Sequence, residues 1–215
     1  MTYLEIVNKV LRRLREREVT SVSQTAYSKL IGDFVNDAKK EVEDSWNWSV
    51  LSNTLVLTTS NGVSSYELNG AQNNSNVKDV INDTGNIFMH YKDAVWFDQQ
   101  LYNNTPVSGS PSYYTFKEVA TDGDVKIDVY PIPDGVYSIR VNCVIRPTEL
   151  VNNTDKVLVP NQPVFLLAVA KAIEERGEDG GTSSMNAYAA GKSSLADEIA
   201  YDAARQPETT VWNVV

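Results

Sequence analysis

The spacing of the apolar residues changes twice along the chain, and this change most constrains the fold. Apolar residues recur at helical spacing over residues 3–14 and again over residues 27–42. Thr2 and Glu5 predict a capping box at the start of the first helix. From about residue 54 to residue 145, β-branched and aromatic residues alternate with polar ones, as they do in strands. Helical spacing returns after Gln162. The sequence therefore predicts helices at both ends of the chain and a β-rich region between them.

This order of elements predicts an α+β protein. Helices at the N- and C-terminal ends are expected to pack into a bundle, because each has one apolar face to bury. The predicted bundle comprises residues 1–50 and 160–205, and the predicted antiparallel β-rich lobe comprises residues 51–159. Residues 206–215 are predicted to form a C-terminal tail outside both.

Two hairpins are predicted within the β-rich lobe. Asn61 and Gly62 lie between two β-rich segments, and an Asn-Gly pair is a strong signal for a tight hairpin turn. A second hairpin is predicted where Asp83, Thr84 and Gly85 join two further strands.

The chain offers few residues of the kinds that carry catalysis or bind metals. Cys143 is its one cysteine and His90 its one histidine, so an intramolecular disulfide and a four-ligand Cys/His zinc site are excluded. Asp122, Asp124 and Asp128 lack the spacing of a calcium loop, and a turn between strands explains them better. The sequence also lacks a P-loop or dinucleotide fingerprint. We therefore predict no catalytic residue, no cofactor, no metal site and no enzymatic activity.

Charge and hydropathy narrow the class of protein further. The formal net charge of −9 argues against nonspecific adhesion to nucleic acid, which requires lysine and arginine to replace the counterions around phosphates. No apolar run reaches the roughly 20 residues of a membrane helix, and the N-terminus lacks the apolar block of a signal peptide. A soluble protein made in the cytoplasm, without a membrane partner, is expected.

The charges are distributed unevenly. Arg12, Arg13 and Arg15 form a basic cluster at the end of the first predicted helix. An acidic cluster lies in the later helical region and consists of Glu174, Glu175, Glu178 and Asp179. Such asymmetry suits a subunit that docks head to tail on copies of itself or on an oppositely charged partner, and Arg12, Arg13 and Arg15 are the predicted ring contacts. Two solvated helix faces would give the same pattern.

Three short motifs accompany the order of elements. They are Trp46-x-Trp48 after the second helix, Tyr130-Pro131-Ile132-Pro133 between late strands, and Arg146-Pro147 leading through Leu158-Val159-Pro160 to an apolar helix. The tryptophans are predicted to close the junction between the helical and β lobes. In this order and with these motifs, the chain resembles the phage head-to-tail adaptor (connector) family, which includes the tail tubular protein A of short-tailed phages.

The resemblance implies a structural virion protein made in the host bacterial cytoplasm. It implies a helical bundle that carries a β-rich lobe and assembles as a twelvefold ring below the head portal and above the tail nozzle or tail tube. DNA would pass through the central channel without specific binding, and the acidic net charge agrees because such a channel must not hold DNA. The chain differs from tail tubular proteins in its Asn/Ser-rich loops at residues 70–76 and 103–112, which leaves the tail-side partner open.

The resemblance also gives the C-terminal tail a role, since tails in this family extend from the bundle towards the portal. The apolar residues Val211, Trp212, Val214 and Val215 are therefore the predicted portal contacts. Trp212 is expected to be the main anchor, because buried aromatic residues often contribute most at interfaces.

The sequence also allows a second interpretation, in which the protein belongs to another functional class. A carbohydrate-binding or hydrolytic β module of a phage tail would line a glycan groove with aromatic side chains. The candidates are Trp96, Phe97, Tyr102, Tyr113 and Tyr114. Hydrolysis would also need two carboxylates at a defined separation, which the sequence does not establish.

Overall fold

The computed structural model describes residues 1–72, 74–177 and 181–205. The chain divides into two compact units. The helical unit comprises Met1–Leu51 and the chain from Pro147 onward, and the β unit comprises Ser52–Arg146. Helices at both ends and two sheets between them confirm the predicted α+β class.

Four helices of the described residues build the helical unit, and a fifth, shorter one belongs to the β unit. Their bounds are α1 Tyr3–Arg13, α2 Ala26–Ser45, α3 Ala94–Asp98, α4 Asn161–Arg176 and α5 Thr182–Arg205. A 3-10 turn, Ser49–Leu51, follows α2. Helix α1 starts at the predicted capping box. The Thr2 hydroxyl accepts a hydrogen bond from the Glu5 N–H, and the Glu5 carboxylate accepts one from the Thr2 N–H. The largely apolar α4 packs against α1, α2 and α5 and forms the centre of the unit.

Helix α5 is held on the unit by one close approach and one charged cluster. Gly191 lies so near α4 that an added Cβ would come within 2.9 Å of the Leu167 side chain. In α2, Glu41 pairs with Lys192 at 2.7 Å and accepts a hydrogen bond from Tyr188 at 3.1 Å. Burial alone would raise the pKa of the Glu41 carboxyl, but these partners and Lys171 lower it below its ordinary value.

The segment from residue 147 to residue 159 belongs to the helical unit, which corrects the predicted boundary. Asn36 in α2 bonds the backbone of Leu150 twice, at 2.9 and 3.1 Å. The buried Lys39 donates to the carbonyl oxygens of Pro147 and Thr148 at 3.1 and 3.0 Å. The sequence of this segment shows no helical spacing, but its backbone forms hydrogen bonds with side chains of α2.

Eight strands of the described residues form two sheets of four in the β unit. Their bounds are β1 Ser52–Thr58, β2 Ser65–Gln72, β3 Asn76–Asn82, β4 Ile87–Phe88, β5 His90–Tyr91, β6 Tyr113–Val119, β7 Asp124–Tyr130 and β8 Ser138–Val144. One sheet has the order β1-β8-β3-β4 and the other the order β2-β7-β6-β5. All pairs are antiparallel except β5 with β6. Both sheets contribute side chains to one buried apolar core, including Leu57, Leu68, Val80, Ile127 and Ile139.

The first predicted hairpin is wrong and the second is confirmed. Strand β1 pairs with β8, and β2 pairs with β7 in the other sheet. Gly62 does adopt the positive φ of a turn, +78°, but the turn carries the chain from one sheet to the other. Leu57 and Leu68 are thereby buried in the core from opposite sheets. Strands β3 and β4 pair as expected, with Ile81 opposite Phe88.

Candidate assembly surfaces

The basic cluster lies on the exposed surface at the C-terminal end of α1. Arg12, Arg13 and Arg15 are all exposed, while the opposite face of the helix is buried. Arg12 forms an ion pair with Glu18 at 2.9 Å. Within the part of the chain that the structure describes, no ion pair is formed by Arg13 or Arg15. The charges available to a partner are therefore chiefly those of Arg13 and Arg15.

Arg15 also ends the helix in an unusual backbone conformation. Its φ of +61° lies in the left-handed region, where glycine is the preferred residue. The Arg15 N–H donates to Arg12 O at 3.1 Å, and the Glu16 N–H donates to Leu11 O at 2.9 Å. These two bonds are those of a Schellman motif, which fixes the direction of the basic segment after the helix.

The acidic cluster lies at the same end of the helical unit as the basic one. Arg176, the last residue of α4, donates to Tyr27 Oη at 2.9 Å and to Leu14 O at 3.3 Å, and it pairs with Glu16. The neighbouring Glu174 and Glu175 are exposed. Through Arg176, the end of α4 that carries Glu174 and Glu175 contacts the chain on either side of Arg15. Glu178 and Asp179 lie outside the described residues.

A second surface feature is a groove beside α5, with a volume of about 390 Å³. Trp48 and Val159 are buried at its base. Val50, Leu158 and Tyr201 also line it, and their side chains are 53%, 49% and 68% exposed. We call these five residues, with Arg205 at the edge, the α5 groove. Its three exposed apolar side chains lie on the surface of the helical unit, beside polar and charged lining residues that include Asn161 and Glu198.

Both tryptophans of the Trp46-x-Trp48 motif have bonding partners inside the helical unit. Asp202 in α5 accepts hydrogen bonds from Trp46 Nε1 and from the Ser49 N–H, both at 3.0 Å. The buried Trp48 donates from Nε1 to Val42 O at 2.7 Å. The two bonds to Asp202 attach the end of α5 to the segment after α2. A role for the tryptophans between the two lobes stays a prediction.

Three of the five aromatic residues of the carbohydrate-binding reading pack on one another. The Trp96 ring lies 5.3 Å from that of Phe97 and 5.0 Å from that of Tyr113, measured between centroids. Phe97 is completely buried, whereas Tyr102 is 76% exposed. Tyr114 packs on other neighbours, Tyr91 and Phe116. The five side chains do not share one open groove.

The residues considered for chemistry occupy separate places in the β unit. Cys143 is buried in β8, and burial raises the pKa of its thiol. His90 is exposed on β5, with its ring 6.3 Å from that of Tyr113. Asp124 is the first residue of β7, and its carboxylate accepts a hydrogen bond from the Gly70 N–H at 2.8 Å. Among the described residues, no three histidine, cysteine or acidic side chains are grouped so that they could hold a metal ion.

The predicted portal contacts Val211, Trp212, Val214 and Val215 lie outside the described residues. The α5 groove was not predicted, because it is assembled from three segments that are distant in the sequence. None of the described helices combines the length and apolar character that a membrane span requires.

The chain is similar to one known protein family over almost its full length. Residues 1–213 match the family described as SU10 adaptor protein, a family of phage head-to-tail adaptors. No curated protein matches the sequence. A particular likeness to tail tubular protein A is not shown and stays a prediction. Because the match covers almost the full length and the α+β fold agrees with the expected architecture, the chain belongs to the SU10 adaptor protein family.

Proposed function

We propose that this chain is the subunit of a twelvefold ring that joins the head portal to the tail nozzle or tail tube. The family match over residues 1–213 carries the proposal, because a phage adaptor is a structural virion component that contacts other head and tail proteins. The ring would surround the channel through which DNA is ejected. A net charge of −9 supports passage of DNA without specific binding.

The exposed basic cluster is the proposed contact between neighbouring subunits in the ring. Arg13 and Arg15 present charges that form no ion pair among the described residues, and Arg12 adds a third that Glu18 partly offsets. A cyclic ring needs a heterologous contact, in which one surface of a subunit meets a different surface of the next. Such contacts are weak singly, so we expect the purified protein to be a monomer or small oligomer until the portal supplies a template.

The C-terminal segment is the proposed contact with the portal. Val211, Trp212, Val214 and Val215 supply four apolar side chains within five residues. Where an apolar cluster of this size is exposed on a soluble protein, it often marks an interaction site. Trp212 is the proposed anchor, since tryptophan is enriched among residues that dominate binding free energy.

Loss of the protein from infected cells tests the adaptor role directly. A nonsense mutation early in its gene is expected to yield DNA-filled heads without tails, and expression of the intact chain in trans should restore tailed particles. A reconstruction of the restored particles should place the chain between portal and tail. Normally tailed particles without the protein, or density for it elsewhere in the virion, would contradict the proposal.

A further inference from the structure

We propose that the α5 groove is the docking site for the chain's own C-terminal segment, residues 206–215, before the subunit joins a ring. In this state Trp212 and its apolar neighbours cover Val50, Leu158 and Tyr201. The contact belongs to the free subunit and does not depend on the proposed role at the portal.

The groove has the properties of a covered surface. Three large apolar side chains that line it are each about half exposed or more, and they adjoin a buried base formed by Trp48 and Val159. Contact between water and such apolar surface is unfavourable. An apolar cover would therefore stabilise the free subunit.

The walls of the groove are fixed in place, so a ligand need not create it. On one side, Tyr201 and Arg205 lie one turn apart on α5. The intervening Asp202 anchors this turn through hydrogen bonds from Trp46 Nε1 and the Ser49 N–H. A preformed site loses less conformational entropy on binding than one that must first be assembled.

The position of Arg205 identifies the occupant. Arg205 lines the groove and is the last residue of α5, so residues 206–215 begin at the edge of the groove. Trp212 follows seven residues later, and seven residues span at most about 24 Å when extended. The segment can therefore reach any part of the groove, and because it is attached there, its effective concentration is high.

Docking in the groove would control when the segment is available to a partner. The same four apolar residues are the proposed portal contacts, and they cannot occupy the groove and the portal at once. The portal must then bind them more tightly than the groove does, and a subunit away from a portal keeps them covered. Premature association through exposed apolar surface would thereby be reduced.

Disulfide trapping in the full-length chain tests the contact. Leu158→Cys combined with Val211→Cys should form an intramolecular disulfide about tenfold faster or more than the control pair Val151→Cys with Val211→Cys, because docking raises the local concentration. Val151 is also exposed and belongs to the same unit, but it does not line the groove. The native Cys143 is buried and can remain. Non-reducing electrophoresis and intact mass distinguish the products.

The outcome of this trapping either supports or overturns the proposal. Equal rates for the two pairs would mean that the segment does not visit the groove and would overturn it. A disulfide between two chains would also overturn it, since the groove would then receive the segment of a second copy.

A second measurement does not require new cysteines. Tyr201→Ala should make the C-terminal residues several-fold more sensitive to carboxypeptidase, because removal of a groove wall raises the undocked population. Met185→Ala is the matched control, since Met185 is equally exposed on α5 but lies outside the groove. Circular dichroism verifies that both variants are folded. Unchanged digestion of Tyr201→Ala would contradict docking.

Discussion

Arg15 holds a backbone conformation that costs an arginine more than a glycine. Its φ of +61° places Cβ close to the following carbonyl, at a cost of roughly 1 kcal/mol or more for a residue with a side chain. The Schellman bonds around it would be unchanged by glycine, which is the usual residue at this position. The sequence thus retains a charge at some expense of stability, as expected if the charge serves an interface.

Replacing Arg15 with glycine tests the backbone strain separately from the loss of charge. Arg15→Gly is expected to raise the free energy of unfolding by up to about 1 kcal/mol, because relief of the left-handed strain exceeds the added entropy of the unfolded chain. Urea denaturation measures the change. Arg13→Gly removes the same charge inside the last turn of α1 and should instead lower stability by about 1 kcal/mol. If both variants are destabilised equally, the strain is absent.

Burial of the Lys39 ammonium also carries a free-energy cost, because the charge is removed from water. Its ammonium pairs with Glu43 at 3.0 Å, and both side chains are at most 4% exposed. Lys39→Met would leave the Glu43 carboxylate buried without this cation and is expected to lower the free energy of unfolding by about 3–5 kcal/mol. Thermal denaturation tests this, and adding Glu43→Leu should recover part of the loss. Lys29→Met, at an exposed site on α2, should change stability by less than about 0.5 kcal/mol.

At the scale of the helices and strands, the sequence predicts those features that depend on residues close together in the chain. The capping box at Thr2 and the short β3–β4 hairpin depend on residues close in the sequence, and both are present as predicted. The Asn61-Gly62 turn is equally local, yet the partners of β1 and β2 are not. Burial of Leu57 and Leu68 in one core requires the two strands to enter opposite sheets. No pattern within the turn encodes that choice.

The contact between α4 and α5 offers a test at the same scale. A methyl group at Gly191 would meet Leu167 Cδ2 at 2.9 Å and the Leu167 backbone nitrogen at 3.3 Å. Gly191→Ala should therefore lower the free energy of unfolding by about 1–3 kcal/mol through overpacking, despite the higher helix propensity of alanine. Denaturant unfolding measures the loss. Ser193→Ala, on the exposed side of the same helix, should have almost no effect, and a stabilising Gly191→Ala would show that the helices can separate freely.

For the whole molecule, the surfaces that bear on assembly were only partly predictable. The sequence identifies the basic and acidic clusters, but not that Arg176 brings their segments to one end of the helical unit. It also identifies an apolar C-terminal segment without a groove to receive it. Val50, Leu158 and Tyr201 come together only through tertiary packing, so no local pattern predicts their proximity.

The assembly role of the basic end can be tested by charge reversal. Arg12→Glu, Arg13→Glu and Arg15→Glu together should leave the circular dichroism spectrum unchanged, because the three side chains are exposed and the lost Arg12–Glu18 pair contributes at most about 1 kcal/mol. Ring formation on portal-bearing heads, counted by electron microscopy, should fall sharply. For the unaltered protein, ring formation should also decrease as salt is added, since salt screens exposed charges.

A double variant makes the test sharper. Arg13→Glu with Arg15→Glu should cause most of the loss, because Arg12 is already paired within its own subunit. Lys29→Glu with Lys40→Glu changes the net charge equally at exposed positions on α2 and should assemble normally. Normal rings from the Arg13/Arg15 double variant would mean that these arginines are solvated and make no contact with the neighbouring subunit. Equal loss from both double variants would mean that ring formation responds to net charge and not to a specific contact between neighbouring subunits.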